Sequence, residues 1–218
     1  MRRQFDEELD KLNTDLTKMG HLVEVSIENM IDAFKNQDKE LAKEIMTNDR
    51  LINDMERTIE SRSFNLILRQ QPIASDLRNV TSALKIVTDL ERIGDQAADI
   101  AEIIVSFEEK HAYRTVEHIP TMAKKTKIMV HEAIEAFIKK DLSTAQMVIK
   151  MDDEIDELFQ EVKQEVVEII KENSERIDFC MDFLMIAKYL ERVGDHAVNI
   201  CEWLEFNQTG IVNEQRLI

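Results

Sequence analysis

The chain has 218 residues, with 44 acidic side chains against 28 basic ones and a net charge of −16 at pH 7. It contains only four glycines and two prolines, too few for the turns of an all-β sandwich or barrel. Its 44% hydrophobic content is ordinary for a folded protein, so a disordered acidic polymer is excluded as well.

The charge and the apolar pattern also limit where the protein can be located and which classes of partner it can bind. No stretch approaches the roughly 18 consecutive apolar residues of a membrane span, and the first residues lack the apolar core of a signal peptide. A net negative charge repels nucleic-acid phosphates and anionic lipid. These features predict a cytoplasmic protein that binds cations or basic protein surfaces, with no nucleic acid and no direct membrane contact.

Apolar residues recur at helical spacing along almost the whole chain. The predicted helices run over about 5–36, 38–70, 73–108, 119–139, 141–172 and 175–206, followed by an irregular tail. Asp38 and Asp141 are suitable N-caps. Pro72 and Pro120 are each predicted in the first turn of a helix, where a missing N–H costs little. The polar stretch 108–118 is the predicted linker.

The sequence repeats itself once. The segment 90–102 matches 190–202 at eight of thirteen positions, and Ala33-Phe34 followed by Asp38 matches Ala136-Phe137 followed by Asp141. The matches occur in the same order in both halves, which predicts a duplicated three-helix unit, since three amphipathic helices can close around a core. The predicted units are 1–112 and 113–218, the second including the short C-terminal tail.

The repeated segment carries a row of acidic side chains. On a helix, Leu90, Ile93 and Ala97 form the apolar stripe, while Glu91, Asp95 and Asp99 step by four along the opposite, outward side. Glu191, Asp195 and Asn199 repeat this in the second half. Like charges four residues apart repel by a few tenths of a kcal/mol per pair. We therefore expect a positive partner at each row.

A hard cation is one such partner, because carboxylate oxygens suit magnesium, manganese or iron. The second helix of each unit can supply further ligands, through Asp49 with Asn53 and through Asp152 with Asp156. The neutral Asn53 predicts less charge at the first site. Arg92 and Arg192 are the alternative partners, which would leave the rows as ordinary solvated faces.

Other residues have simpler interpretations. Cys180 and Cys201 are predicted to be small buried side chains rather than a disulfide, and His196 a solvated surface residue. Gly94 and Gly194 lie in the middle of helices, for which a close approach of a second helix is the commoner reason. No phosphate loop, nucleophile elbow or paired acid and base motif is present.

The two Leu-Glu-Arg-Ile/Val-Gly-Asp segments (90–95 and 190–195), together with Gln71-Pro72-Ile73-Ala74-Ser75-Asp76-Leu77-Arg78, resemble the PhoU family over nearly the whole chain. The resemblance implies an all-α fold of two tandem, pseudo-symmetric three-helix bundles, six helices in all, that often forms a homodimer. It also implies metal on surface carboxylate motifs, with iron, manganese, magnesium or zinc as candidates. Carried over by position, the ligands would be Glu91, Asp95, Glu191 and Asp195, with Asp49/Asn53 and Asp152/Asp156 as the partner motifs. Asp99 and Asn199, the third members of the two rows, complete the predicted metal site residues.

The resemblance further implies a non-enzymatic regulator that restrains phosphate uptake and the phosphate-starvation two-component response. Its partners would be the ATPase subunit of the phosphate ABC transporter and the phosphate-sensing histidine kinase, with the membrane reached only through them. Two alternatives stay open: a di-metal carboxylate protein of the ferritin type, used for metal storage or redox chemistry, and a metal-free structural adaptor.

Overall fold

The computed structural model describes residues 2–107, 116–212 and 215–216. The helices are α1 (Arg2–Asn36), α2 (Lys39–Gln70), α3 (Ser75–Ser106), α4 (Ile119–Lys139), α5 (Leu142–Glu172) and α6 (Ile177–Thr209), with a 3₁₀ turn at Ser174–Arg176 and two short strands, β1 (Ile211–Val212) and β2 (Gln215–Arg216). The all-α prediction with six helices is confirmed. The boundary predicted between residues 112 and 113 lies outside the described residues.

Local capping chemistry fixes the starts of α2 and α5. The Asp38 carboxylate accepts hydrogen bonds from the backbone N–H groups of Glu40 and Leu41, and Asp141 caps Ser143 and Thr144 in the same way. Both predicted N-caps are therefore confirmed. Pro120 also lies in the first turn of its helix, as predicted.

Two local predictions are wrong. Pro72 lies in the turn before α3, because Ala74 adopts a positive φ of 48° and delays the helix until Ser75. The tail is not entirely irregular, since β1 and β2 pair antiparallel, with Ile211 opposite Arg216 and Val212 opposite Gln215.

The helices form two bundles that share one core. Helices α1, α2 and α3 pack together, as do α4, α5 and α6, and the bundles meet where α3 packs on α6 and α1 on α4. The buried side chains of both halves belong to one continuous apolar cluster. Cys180 and Cys201 are buried and unbonded, as predicted. No helix in the described part of the chain has an apolar stretch long enough to cross a membrane.

The contacts between the bundles follow the sequence duplication. Lys127 on α4 pairs with Glu28 on α1 at 2.8 Å. In the repeat, Glu24 on α1 corresponds to Lys127 and His131 on α4 corresponds to Glu28, and these two residues also pair, at 2.7 Å. On the other side, Asn199 donates to Asp89 at 3.1 Å, and the exchanged equivalents Asp99 and Tyr189 lie close enough for the charge of Asp99 to raise the pKa of Tyr189 after the larger effect of burial. The two halves are thus related by a pseudo-two-fold axis between them.

Candidate metal centre

The first cluster forms where α2 crosses α3 at Gly94. A Cβ added to Gly94 would lie 2.8 Å from Ile52 Cδ1 and 3.4 Å from Asp49 Oδ1, so the missing side chain lets Ile52 and the Asp49 carboxylate reach the backbone of α3. This close approach explains why glycine occupies the middle of a helix here. It brings Asp49 close to Asp95, whose charge raises the pKa of Asp49 after the larger effect of burial.

Burial and mutual repulsion both act on the first cluster. Burial, followed by the charges of Asp95 and Glu56, raises the pKa of Glu91 to about 7. Arg92 Nη1 donates to Asp95 Oδ2 at 3.0 Å, and Asn53 Nδ2 donates to Asp49 Oδ2 at 2.8 Å. Two buried oxygens accept no hydrogen bond, Asp49 Oδ1 and Glu91 Oε2, although Arg92 Nε lies 3.4 Å from the latter. The first cluster therefore has too few positively charged side chains to pair with all of its carboxylates.

The second cluster has the same framework with different neighbours. Gly194 faces Asp152 on α5, and an added Cβ would lie 3.5 Å from Asp152 Oδ1. Burial, followed by the charges of Asp195 and Asp156, raises the pKa of Asp152 to about 6. Burial and Glu191 raise the pKa of Asp195 although much of this side chain is exposed. Glu191 forms an ion pair with Lys188 one turn earlier.

The structure corrects the predicted outward orientation of the rows. Glu91 and Glu191 have side chains only 14% exposed, because they lie against the second helix of their own bundle rather than in open solvent. Asp99 and Asn199, the third member of each row, lie at the contact between α3 and α6, where Asp99 lies beside Tyr189 and Asn199 donates a hydrogen bond to Asp89. Eight of the ten predicted ligands, four in each half, are thus gathered in the clusters.

One further prediction is wrong, and the alternative of an arginine partner does not apply in the second half, for the same reason. His196 is not solvated: its side chain is 18% exposed and its Nδ1 lies 2.9 Å from Asp89 Oδ1. Arg192 does not neutralise the acidic row of its own half, since its charge acts on Asp99 and Tyr189 across the pseudo-two-fold axis. Both side chains are directed by the packing of α3 on α6, which periodicity within one helix does not reveal.

Sequence reasoning missed Glu56, which belongs to the first cluster. Burial and Glu60 raise its pKa, with Asp95 contributing further, and its own charge raises the pKa of Glu91. It adds a carboxylate beside the neutral Asn53, which the expectation of less charge at the first site did not include. The available signal was the spacing, because Glu56 lies three residues after Asn53 and seven after Asp49 on one helix face.

The donor chemistry of both clusters fits a hard cation, because the candidate ligands are oxygens, and the first cluster also has two unpaired buried oxygens. In the arrangement described, however, no group of three or more His, Cys, Asp or Glu side chains in residues 2–107, 116–212 and 215–216 converges as a metal centre. The carboxylates are adjacent, and rotation of their side chains is needed before they could share one ion. Metal binding therefore stays a prediction.

A model of the PhoU domain matches this chain twice, over residues 16–104 and 119–204. Each match covers one three-helix bundle and ends just after its acidic row. The chain belongs to the PhoU domain family.

Relatives and solved PhoU structures resemble the whole chain. A Clostridium acetobutylicum protein named phosphate-specific transport system accessory protein PhoU homolog is 37% identical over 210 residues, 96% of each chain. The Escherichia coli K12 accessory protein PhoU is 32% identical over 208 residues, 95% of this chain and 86% of that one. The crystal structure of PhoU from Pseudomonas aeruginosa aligns with a TM-score of 0.88 at 34% identity, over 95% of this chain and all of that one. The crystal structure of the phosphate transport system regulatory protein PhoU from Streptococcus pneumoniae aligns with a TM-score of 0.89 at 31% identity, over 97% of this chain and all of that one. The predicted PhoU architecture is thus confirmed.

Proposed function

We propose that this protein is a non-enzymatic accessory regulator of phosphate transport that restrains uptake through a phosphate-specific ABC transporter. The observation that carries the proposal is full-length similarity to proteins named as accessory to, or regulatory of, phosphate transport. The similarity covers both bundles and both acidic clusters, so it is not confined to a shared module.

Regulation by this chain works through contact with other proteins. Its partners are the transporter's ATPase subunit and the sensor kinase of the phosphate two-component system, both reached from the cytoplasmic side, and the chain acts as a homodimer. Its net charge of −16 favours basic surfaces on such partners. Information about phosphate arrives through the transporter, and the kinase is held in its inhibitory state when phosphate is plentiful.

Deletion of the gene tests this function. In phosphate-rich medium, deletion is expected to derepress the phosphate-starvation genes, and a plasmid copy of the wild-type gene is expected to restore repression. Transcript levels of a phosphate-starvation promoter are the measurement. Unchanged expression in the deletion strain would contradict the proposal.

The acidic clusters are proposed as cation sites that support this contact. Glu91, Asp95 and Asp49 in the first half, and Glu191, Asp195 and Asp152 in the second, are the main ligands, with Asn53 and Asp156 beside them. Support comes from the buried unpaired oxygens of Asp49 and Glu91. It also comes from burial and neighbouring carboxylate charges, which together raise the pKa values of Glu91 and Asp152. A bound cation would stabilise the ionised forms. Iron, manganese, magnesium and zinc are the candidates, because carboxylate sites discriminate poorly among them.

Metal analysis of the purified full-length protein tests this part separately. Each candidate metal at a hundred times its Kd is expected to stabilise the fold by about 2.7 kcal/mol for each occupied site, read as a rise in Tm. The pair Asp95→Asn with Asp195→Asn is expected to lose most of that rise. Glu44→Gln and Glu157→Gln are the matched controls, since both residues are exposed on the same helices as Asp49 and Asp152.

The outcomes also separate the alternatives. No metal content and no rise in Tm, with regulation by the Asp95 and Asp195 variants intact, would favour a metal-free adaptor. Oxygen consumption by the iron-loaded protein would instead favour a di-metal protein of the ferritin type.

A further inference from the structure

The turn between α2 and α3 displays the most exposed large apolar side chains in the described part of the chain. Leu68 is 76% exposed, Ile73 75% and Phe64 53%, while no other large apolar residue described exceeds 49%. Phe64 and Leu68 lie one helical turn apart near the end of α2, and Ile73 lies five residues further on. We call Phe64, Leu68, Arg69, Pro72 and Ile73 the α2–α3 turn surface. An apolar patch concentrated at one place marks an interaction site.

This surface is also unusual in its charge. Residues 61–75 form the longest run without Asp or Glu in a chain that contains 44 of them, and the run includes Arg62 and Arg69. Glu8 and Asp15 hold Arg62 at 3.0 and 3.1 Å. Arg69 is exposed, and among the described residues no carboxylate lies within 4.0 Å of its guanidinium. A positive charge without a partner thus adjoins the apolar patch.

Two open grooves meet at Arg69. One, of about 610 Å³, lies between α1 and α2 and is also lined by Arg57 and Arg62, with Glu8 as its acidic residue. The other, of about 470 Å³, is lined by Phe5, Pro72, Ile73 and Asp76 besides Arg69. Together they give an extended segment of another molecule room on both sides of the guanidinium.

The backbone of this turn is held in a costly conformation. Gln71 has φ 46° and Ala74 has φ 48° with ψ −118°, and Ala74 lies in a region that favours glycine. Residues in sparsely populated backbone regions cost on the order of 1–3 kcal/mol each and cluster at functional sites. Here the strained pair flanks Pro72 and Ile73 and holds the Ile73 side chain out in solvent.

We propose that the α2–α3 turn surface docks an acidic segment of a protein partner, with an apolar side chain against Leu68 and Ile73 and a carboxylate on Arg69. A second copy meeting the first through this same surface would place arginine against arginine. An anionic membrane would bring a broad negative surface against a chain of net charge −16, which repels it, whereas a single acidic segment would meet only the acid-free run 61–75. The inference rests on the proposed function, because it names a local surface for one contact with a partner, beside the basic partner surfaces that the rest of the chain favours.

Binding of the purified ATPase subunit and of the kinase's cytoplasmic portion to the full-length chain tests the docking surface. Leu68→Ser combined with Ile73→Ser, and separately Arg69→Glu, are expected to weaken binding of at least one of these proteins about tenfold or more, as for central interface residues. Met147→Ser and Arg50→Glu are the matched controls, since both residues are exposed elsewhere, and their affinities should stay within about twofold of the wild type. The Tm of every variant verifies folding.

The failures are distinguishable. If the wild type binds neither protein, the proposed function falls and this inference falls with it. If the wild type binds but the turn variants bind equally well, only the docking surface is overturned.

Cross-linking identifies the occupant. A photo-reactive residue at position 68 or 73, but not at 147, is expected to cross-link to a partner segment with an excess of Asp and Glu. Replacing an acidic residue of that partner segment with lysine should restore its binding to the Arg69→Glu variant of this chain. Cross-links to a second copy of this chain would overturn the proposal. The proposal would also be overturned if the wild type bound vesicles of phosphatidylethanolamine and phosphatidylglycerol and the variants of the α2–α3 turn surface did not.

Discussion

Gly94 and Gly194 occupy equivalent positions in the two halves, yet their surroundings differ. An added methyl group at Gly94 would meet the buried Ile52 Cδ1 at 2.8 Å, whereas at Gly194 it would meet nothing closer than 3.5 Å. Alanine in a helix is favoured over glycine by about 0.5–1 kcal/mol. We expect Gly194→Ala to raise the free energy of unfolding by up to that amount, and Gly94→Ala to lower it by about 1 kcal/mol, since overpacking a core costs about 1–3 kcal/mol.

Urea unfolding of both variants in chelator measures this difference, and each variant is the control for the other. Equal effects at the two positions would contradict the packing account. Gly20 is not suitable as a further control, because an added Cβ there would lie 2.9 Å from Ile134 Cγ2.

Individual residues differ in how far the sequence predicts them. Asp38 and Asp141 were predictable as caps because each bonds backbone groups only two or three residues away. The contact of His196 was not predictable, because its partner Asp89 is 107 residues distant in the chain. Glu56 was overlooked for a similar reason: its role depends on carboxylates of α3.

At the scale of elements, the start of α4 is fastened to α5 by one carboxylate. Glu165 accepts hydrogen bonds from the backbone N–H groups of Glu117 and His118, and it lies 2.9 Å from His118 Nδ1. Glu161 lies 3.5 Å from the other ring nitrogen. The hydrogen bond to Glu165 and the charges of Glu161 and Glu165 raise the pKa of His118 above its usual value of 6.5, although burial opposes them.

The raised pKa of His118 predicts a pH dependence of stability. The folded state binds the proton more tightly than the unfolded state, so the contribution is complete below the unfolded pKa, near pH 6.5, and is lost as the pH rises through the folded pKa. Between about pH 6 and 8, the Tm of the wild type is expected to fall more steeply than that of His118→Gln. Calorimetry at a series of pH values in chelator is the measurement.

His21→Gln is the control, because the His21 side chain is 75% exposed, and its profile should follow that of the wild type. Identical slopes for His118→Gln and the wild type would refute the role of the Glu165 contact. Carboxyl groups with raised pKa values, such as Glu91, contribute equally to all three proteins and cancel in the comparison.

Element boundaries were predicted where they depend on local chemistry. Pro120 in the first turn of α4 and the break before α2 follow from residue types. The start of α3 does not, because the positive φ of Ala74 is unexpected for a residue with a Cβ, and Pro72 alone favoured an earlier start.

At the scale of the whole molecule, the two bundles share one core. The apolar cluster is continuous across α3 and α6, and Phe34 and Phe107 of the first half contact Phe183 of the second at 5.8 and 5.6 Å between ring centroids. We therefore expect one unfolding transition rather than two. The bundle order and the duplication were predictable because the repeated segments share both sequence and spacing. The contact of α3 with α6 was not, since it depends on the relative rotation of two helices.

A destabilising substitution in the first half should consequently lower the stability of the second half as well. Leu16 on α1 is 1% exposed, and Leu16→Ala is expected to cost about 2–5 kcal/mol. The fluorescence of Trp203, which lies on α6, and the far-UV circular dichroism should both shift to the same lower denaturant midpoint. A Trp203 midpoint equal to that of the wild type would mean that the halves unfold independently.

The position of Asp99 links the two acidic clusters. It lies one turn from Asp95 and beside Tyr189, whose pKa its charge raises after the larger effect of burial. Tyr189 is two residues before Glu191 on α6. If an ion binds Asp95 as proposed, its charge would alter the field at Asp99 and hence the contact with α6, on which the second cluster is built. Any coupling of the two proposed sites by this route would be equal in both directions, as thermodynamic reciprocity requires. The duplication thus leaves both proposed cation sites adjoining a single helix pair, α3 and α6.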